Sequence, residues 1–145
     1  MNTELMYIIK KAEDFHGHLG PFLVIGVRMG RIGIKKMKVK ENGEKLRVTA
    51  MLKYKVPFSC VVDGIQVATK CTFGNQKLKL IDSTGIAAEF ELQEREKIII
   101  TVNPVTFNKL RDSLLSDNVS KEETEKLAHF IASMPEEELF TIENQ

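Results

Sequence analysis

Apolar positions recur along this chain with two distinct periods. Between Glu4 and Asp14, Leu5, Ile8, Ile9 and Ala12 keep helical spacing against polar Lys10, Lys11, Glu13 and Asp14, which predicts a short amphipathic helix. Phe22 to about Lys36 is apolar on most sides with a basic end. Gly20-Pro21 ahead of it marks a helix start, because proline is tolerated at the first helical position. That second helix is expected to be buried. Leu46 to Val56 alternates strictly instead, with Leu46, Val48, Ala50, Leu52, Tyr54 and Val56 on one face, and predicts a strand that Pro57 stops. A helix over Cys60 to Lys70 with Ser59 as N-cap follows, then strands near 77–82, 86–92 and 97–102. Turns are predicted at Asn42-Gly43 and Ser83-Thr84-Gly85. Two closing helices are predicted near 104–116 and 120–133, the second opening on a Ser120-x-x-Glu123 capping box, and Pro135 precedes an apolar tail of Leu139, Phe140 and Ile142. Helices at both ends and between the strands read as α+β with a mostly antiparallel sheet and helices packed around it.

Composition narrows this picture. At 145 residues and 43% hydrophobic the chain has material for one core, so residues 1–145 are expected to form a single domain. The longest apolar run, Phe22 to Val27, is far below the roughly 20 residues that span a bilayer, and the N-terminus lacks a secretory pattern, so a cytoplasmic protein without a membrane partner is expected. Two cysteines make no disulfide framework, and no C-x-x-C pair is present. The net charge of +1 is unevenly spread, with 13 Lys/Arg against 3 Asp/Glu in residues 28–79 and 8 against 17 elsewhere. Such asymmetry fits an anionic ligand or a basic face meeting an acidic one. Nucleic acid ranks below both, because the chain has no Trp and no nucleic-acid-binding motif.

Gly26, Gly30 and Gly33 share one face of the second helix at 100° per residue. Each costs about 1 kcal/mol relative to alanine inside a helix, so close approach of another backbone, within the same chain or across a dimer, is the expected compensation. A dinucleotide-binding reading fails on the missing G-x-G-x-x-G spacing and the missing preceding strand.

Candidate chemistry gathers at two places. Phe15-His16-Gly17-His18-Leu19-Gly20-Pro21 holds two of the three histidines at a loop-to-helix junction. The glycines favour a turned backbone in which His16 and His18 share a face, so the pair could bind a transition ion or move protons. Taken alone, the pair reads equally as a polar turn with one histidine capping the next helix. Cys60 and Asp63 lie one turn apart at the start of the third helix. The helix dipole there favours thiolate while the carboxylate opposes it, a conflict that a metal ion or a protonated histidine resolves. A buried structural cysteine beside a helix-start aspartate is the plainer alternative. Cys71 lies 11 residues beyond Cys60, about 16 Å along a continuous helix, so one ion cannot take both and a disulfide is excluded. His129 in the last helix is expected to be structural.

The order of these signals, F-H-G-H, then C-x-x-D-G-I-Q, then K-C-T-F-G-N, resembles the formylmethanofuran dehydrogenase E-subunit family from about Ala12 to Val102. The resemblance implies an α+β core, commonly an intertwined homodimer, with a cleft able to hold a metal such as zinc. It carries over to His16, His18, Cys60, Asp63 and Gln66, and less directly to Cys71 and Thr72. Many relatives have a cysteine shortly after the second histidine, where this chain has Leu19-Gly20-Pro21, and some append a C-terminal zinc-finger module that is missing here.

The expected site therefore has His16, His18 and Cys60 as ligands of zinc or another divalent transition metal, with Asp63, Cys60 and His16 as candidate catalytic groups and Gln66, Thr72 and Lys70 toward a substrate. Asp63 is expected as a further ligand, a general base or a carboxylate orienting a ligand. If the protein is an enzyme, hydrolysis or a redox-linked step on a small anionic molecule is the expected class. Two alternatives stand beside it: a non-catalytic accessory protein docking to a molybdenum or tungsten redox enzyme through the basic face, and a metal-free anion or nucleotide binder.

Overall fold

The computed structural model describes residues 2–40, 45–116 and 119–145. In chain order the elements are α1 (Thr3–His16), α2 (Pro21–Lys36), β1 (Leu46–Met51), α3 (Cys60–Thr69), β2 (Leu78–Ile81), β3 (Ala87–Leu92), β4 (Glu96–Val102), α4 (Pro104–Leu115), α5 (Lys121–Ser133), α6 (Glu136–Leu139) and β5 (Phe140–Asn144). The strands form one sheet in the order β2-β1-β3-β4-β5, parallel between β1 and β2 and antiparallel elsewhere. The fold is α+β.

Period-two alternation decides which sheet face is covered. Leu46, Val48 and Ala50 of β1, Ala88 and Phe90 of β3, and Ile98, Ile100 and Val102 of β4 are buried. Arg47 and Glu91 pair in register across the more polar face. Alternation runs past the end of β1 without meaning a strand. Met51 is the last ladder residue, opposite Ile81 and Ala87; Leu52 still bonds Ile81 and Ser83, and beyond it Tyr54 and Val56 are 73% and 71% exposed. The expected strand to Val56 is thus shortened because its neighbours end. Conversely, the expected apolar tail is β5, an edge strand paired with β4 from Ile98–Asn144 to Val102–Phe140. The Asn42-Gly43 turn falls outside the described residues.

Helix starts follow their local chemistry in most places. Asn2 caps α1 by accepting from the Glu4 and Leu5 N–H groups, Pro21 opens α2, and Ser120 accepts from the Glu123 N–H as the capping box requires. Ser59 does not cap α3 through its side chain. Tight backbone bonds from Cys60, Val61 and Val62 back to Pro57, Phe58 and Ser59 carry the chain into that helix instead.

α2 is the element around which the others are arranged, with both its apolar sides buried. Its glycines face two different neighbours. A Cβ on Gly26 would stand 2.0 Å from the Val61 carbonyl oxygen and 3.0 Å from the Gly64 Cα, and one on Gly64 would stand 2.3 Å from the Leu23 oxygen. Gly26 and Gly64 therefore bring the α2 and α3 backbones into direct contact. Gly30 meets Ala68 and Thr69 of α3, whereas Gly33 meets the Phe90 ring of β3. The expected close approach of another backbone is found at Gly26 and is corrected for Gly30, which makes room for two α3 side chains, and for Gly33, which makes room for a sheet aromatic.

In an exposed helix interior, Gly→Ala stabilises by about 1 kcal/mol. Here the sign should reverse: Gly26→Ala should destabilise by about 3 kcal/mol, the upper range of overpacking, because its methyl group meets backbone rather than a movable side chain. Urea unfolding measures this, and an unchanged or raised midpoint would show that the two helices can part.

Candidate metal centre

Three chain segments meet at the N-terminal end of the α2–α3 contact. α1 ends at His16, where Gly17 takes the left-handed conformation (φ 101°) and its N–H bonds the Glu13 carbonyl at 2.7 Å. The chain then turns through His18 and buried Leu19 into Gly20-Pro21 and α2. His16 and His18 stand on either side of this cap, with ring centroids 4.4 Å apart. Cys60, the first residue of α3, is held opposite by the backbone contact between the helices. One ligand atom from each of His16, His18 and Cys60 lies within 4.8 Å of the others, the only such group of three among the described residues. Below them Phe22, Phe58 and Phe107 stack edge-on or tilted, their centroids 5.5 to 6.4 Å apart, and tie the start of α2 to the segment before α3 and to α4.

The two histidines are held differently. His16 Nδ1 lies 2.6 Å from Asp63 Oδ2. An ionised carboxylate only accepts, so Nδ1 carries a proton, and in the neutral imidazole the lone pair is then on Nε2. That Nε2 is buried and has no hydrogen-bond partner. A buried polar atom without a partner ordinarily costs about 1–3 kcal/mol, and a cation next to it would remove the cost. Two imidazoles, one presenting a free lone pair, and one thiol make a donor set that suits zinc, so the residues present fit such an ion. Asp63 stands outside the group of three ligand atoms and orients His16.

Behind Asp63 the bracing continues. Gln66 Nε2 donates to Asp63 Oδ1 at 3.2 Å, and Gln66 Oε1 accepts from the Phe73 N–H at 3.1 Å. Phe73 belongs to a turn locked by Thr72 and Asn75. Thr72 Oγ1 accepts from the Asn75 N–H, Asn75 Oδ1 accepts from the Thr72 N–H, and Asn75 Nδ2 donates to the Lys70 carbonyl at 2.7 Å. Of the residues expected toward a substrate, Gln66 therefore bonds Asp63, Thr72 closes the turn, and Lys70 is the left-handed cap of α3. Cys71 lies past the end of α3 at Thr69, buried with its Sγ toward the Leu46 carbonyl, and belongs to the core. His129 is exposed on α5.

Electrostatics oppose a free thiolate. Burial and, after it, the Asp63 carboxylate push the Cys60 thiol up to about 11. Burial and then His16 hold His18 below the usual imidazole range, which keeps it neutral and able to coordinate. A cleft of about 370 Å³ opens onto His18 and Cys60, walled by Phe22, Val56, Pro57, Leu114 and Val119. Gln66, Thr72 and Lys70 do not line it. Sequence pattern does not reveal this apolar wall: Val56 reads there as a strand residue, yet it and Leu115 are 71% and 55% exposed at the cleft.

Residues 15–141 match the profile of the family described as FmdE, molybdenum formylmethanofuran dehydrogenase operon. Over 80 residues, 55% of its length, the chain is 38% identical to a probable S-adenosyl-L-methionine-binding protein of Archaeoglobus fulgidus, and it spans 22% of that relative. The crystal structure of a tungsten formylmethanofuran dehydrogenase FmdE-like protein from Syntrophus aciditrophicus superposes with a TM-score of 0.62 at 21% identity, covering 97% of this chain and 71% of that one. That likeness is one of fold.

With Cys60 raised to about 11 from 9, its thiolate fraction at neutral pH in metal-free protein falls about 100-fold below that of an unperturbed thiol. Alkylation of Cys60 in a Cys71→Ser background should be correspondingly slow at pH 7.5 and climb steadily up to about pH 11. Asp63→Asn should accelerate it by removing the nearby negative charge. Fast alkylation at neutral pH without metal would contradict the burial and charge described.

Proposed function

This chain belongs to the FmdE family, and we propose from that premise that it binds one divalent transition metal, zinc first, through His16, His18 and Cys60. The observation that carries the reading is the buried, unpartnered Nε2 of His16, beside a second imidazole and a thiol. Asp63 fixes the His16 tautomer and raises its basicity as a ligand, and Gln66 with the turn at 72–75 holds Asp63. When bound with three protein ligands, zinc supplies Lewis acidity at an open position and lowers the pKa of water there to about 7. The apolar wall admits a small molecule with an apolar part and excludes bulk water from its side of the cleft. Asp63, on the far side of His16, holds the Nδ1 proton and keeps the imidazole in its coordinating tautomer, and hydrolysis or a redox-linked step is the reaction class that fits.

A second reading, that of an accessory protein of a redox enzyme, draws on the excess of basic residues between 28 and 79 and on the dehydrogenase operon in the family's description. It is separable from the first, since charge-driven association with an acidic partner weakens with salt. The Archaeoglobus relative's name makes S-adenosyl-L-methionine the first small molecule to assay. An intertwined homodimer and a cytoplasmic setting complete the proposal.

Protein purified without a metal-binding tag should carry about one ion per chain. Cys60→Ser and His18→Ala should lose most of it, and Cys71→Ser should keep it. Asp63→Asn should retain the fold and weaken binding about 10- to 100-fold, the usual cost of removing a ligand's orienting partner. A full complement of metal in folded Cys60→Ser would remove the thiol from the site.

A further inference from the structure

A second cavity, also of about 370 Å³, lies between the C-terminal half of α2, the start of α1 and the α5–α6 junction, and shares no lining residue with the cleft at Cys60. At 1.5 Å per residue, Arg28 already stands roughly 12 Å along α2 from Gly20. Arg28, Arg31 and Lys35 all reach this cavity from one helix face, against a single lining carboxylate, Glu136.

These cations are not spread over open surface. Arg28 Nη1 donates to the Ile131 carbonyl at 2.9 Å and to the Met134 carbonyl, so the α5 terminus fixes the guanidinium in place and leaves its remaining N–H groups for another acceptor. Arg31 is only 14% exposed, and its one ion pair, Nη2 to Glu4 Oε1 at 3.2 Å, is with a carboxylate 70% exposed. A pair with so exposed a partner contributes little and is readily displaced. Burial holds Arg28 below its usual range and Arg31 adds to the effect, with Glu136 opposing it. A guanidinium fixed by two carbonyls, a second that is mostly buried, and an ammonium around an open cavity present the donors that match oxyanions.

We propose that this cavity binds the phosphate group of a compact phosphorylated small molecule, with Arg31 and Lys35 as its charged contacts and Arg28 as a fixed donor at the rear. The other lining groups are aliphatic or small and polar, Leu5, Ile32, Ala132 and Asn2 among them, and no aromatic ring is present to stack on a base. That composition fits a short phosphate ester rather than a nucleotide. The cavity volume is within the range of small-ligand sites and exceeds what inorganic phosphate alone would fill.

Calorimetric titration with inorganic phosphate and with glycerol 3-phosphate, at one ionic strength fixed with chloride, tests the proposal. Both should bind saturably to the wild-type protein, and Arg31→Gln should weaken binding about tenfold, as expected on losing a charged hydrogen bond. Lys35→Gln, at an exposed position that the fold does not need, should weaken both several-fold and keeps the test valid should Arg31→Gln unfold. Heat no greater than that of chloride, or both variants binding like wild type, would overturn the site. Binding of inorganic phosphate without the ester would overturn the assignment of the ligand.

Discussion

The contact between Gly26 of α2 and Gly64 of α3 is the constraint on which the rest depends. No side chain separates the helices there, and a single methyl group on either would enter the other's backbone. Side-chain packing tolerates sliding by fractions of an ångström, whereas backbone against backbone leaves one register. The consequence passes up α3 by rigid geometry. Cys60 lies one turn before Gly64, and Asp63 adjoins it, so the position of both relative to the start of α2 follows from two missing Cβ atoms. His18 and Gly20 belong to that same start, which is why residues 40 and more apart in sequence come within ligand distance.

Within this frame the polar groups form one directed chain. A backbone N–H at Phe73 orders Gln66, Gln66 orders Asp63, and Asp63 orders His16, leaving the Nε2 of a residue grouped with Cys60 and His18 without a partner. Each link is partly buried or at the protein edge, and each donor meets an acceptor, so the network is satisfied except at the buried Nε2 of His16. The thiol is the costly member. Its environment disfavours the charged form twice over, by burial and by a neighbouring carboxylate, and the balance changes only when a cation stands nearby.

Much of this was legible in the sequence because it rested on local rules. Helix starts at Pro21 and Ser120, the strands around Val48, Phe90 and Ile98, and the pairing of Cys60 with Asp63 at one helical turn are short-range patterns. Cys71 was likewise set apart from the site, although the helix along which its distance was counted stops at Thr69. What escaped depended on partners distant in sequence. The alternation through Tyr54 and Val56 cannot reveal that β2 and β3 stop alongside Met51, and the tail at Phe140 becomes a strand only because β4 has a free edge. Gln66, Thr72 and Lys70 carried the motif but not its geometry. Their hydrogen bonds run through the turn and toward Asp63, an arrangement that residue identity alone does not specify.

The one parallel pairing in the sheet gives the site its address. β1, α3 and β2 make a strand–helix–strand crossover inside an otherwise antiparallel fold, so α3 begins just past the carboxyl end of β1. Sheets built wholly of such crossovers keep their ligands beyond the carboxyl ends of their strands, where helix starts converge. Here a single unit does the same, and the antiparallel strands β3, β4 and β5 extend the sheet away from it. An insertion at the β3–β4 hairpin, beside the amino end of β1, would lengthen the molecule on the far side while leaving the three ligands where they are, so the fold separates a part that is free to vary from the part that holds the chemistry.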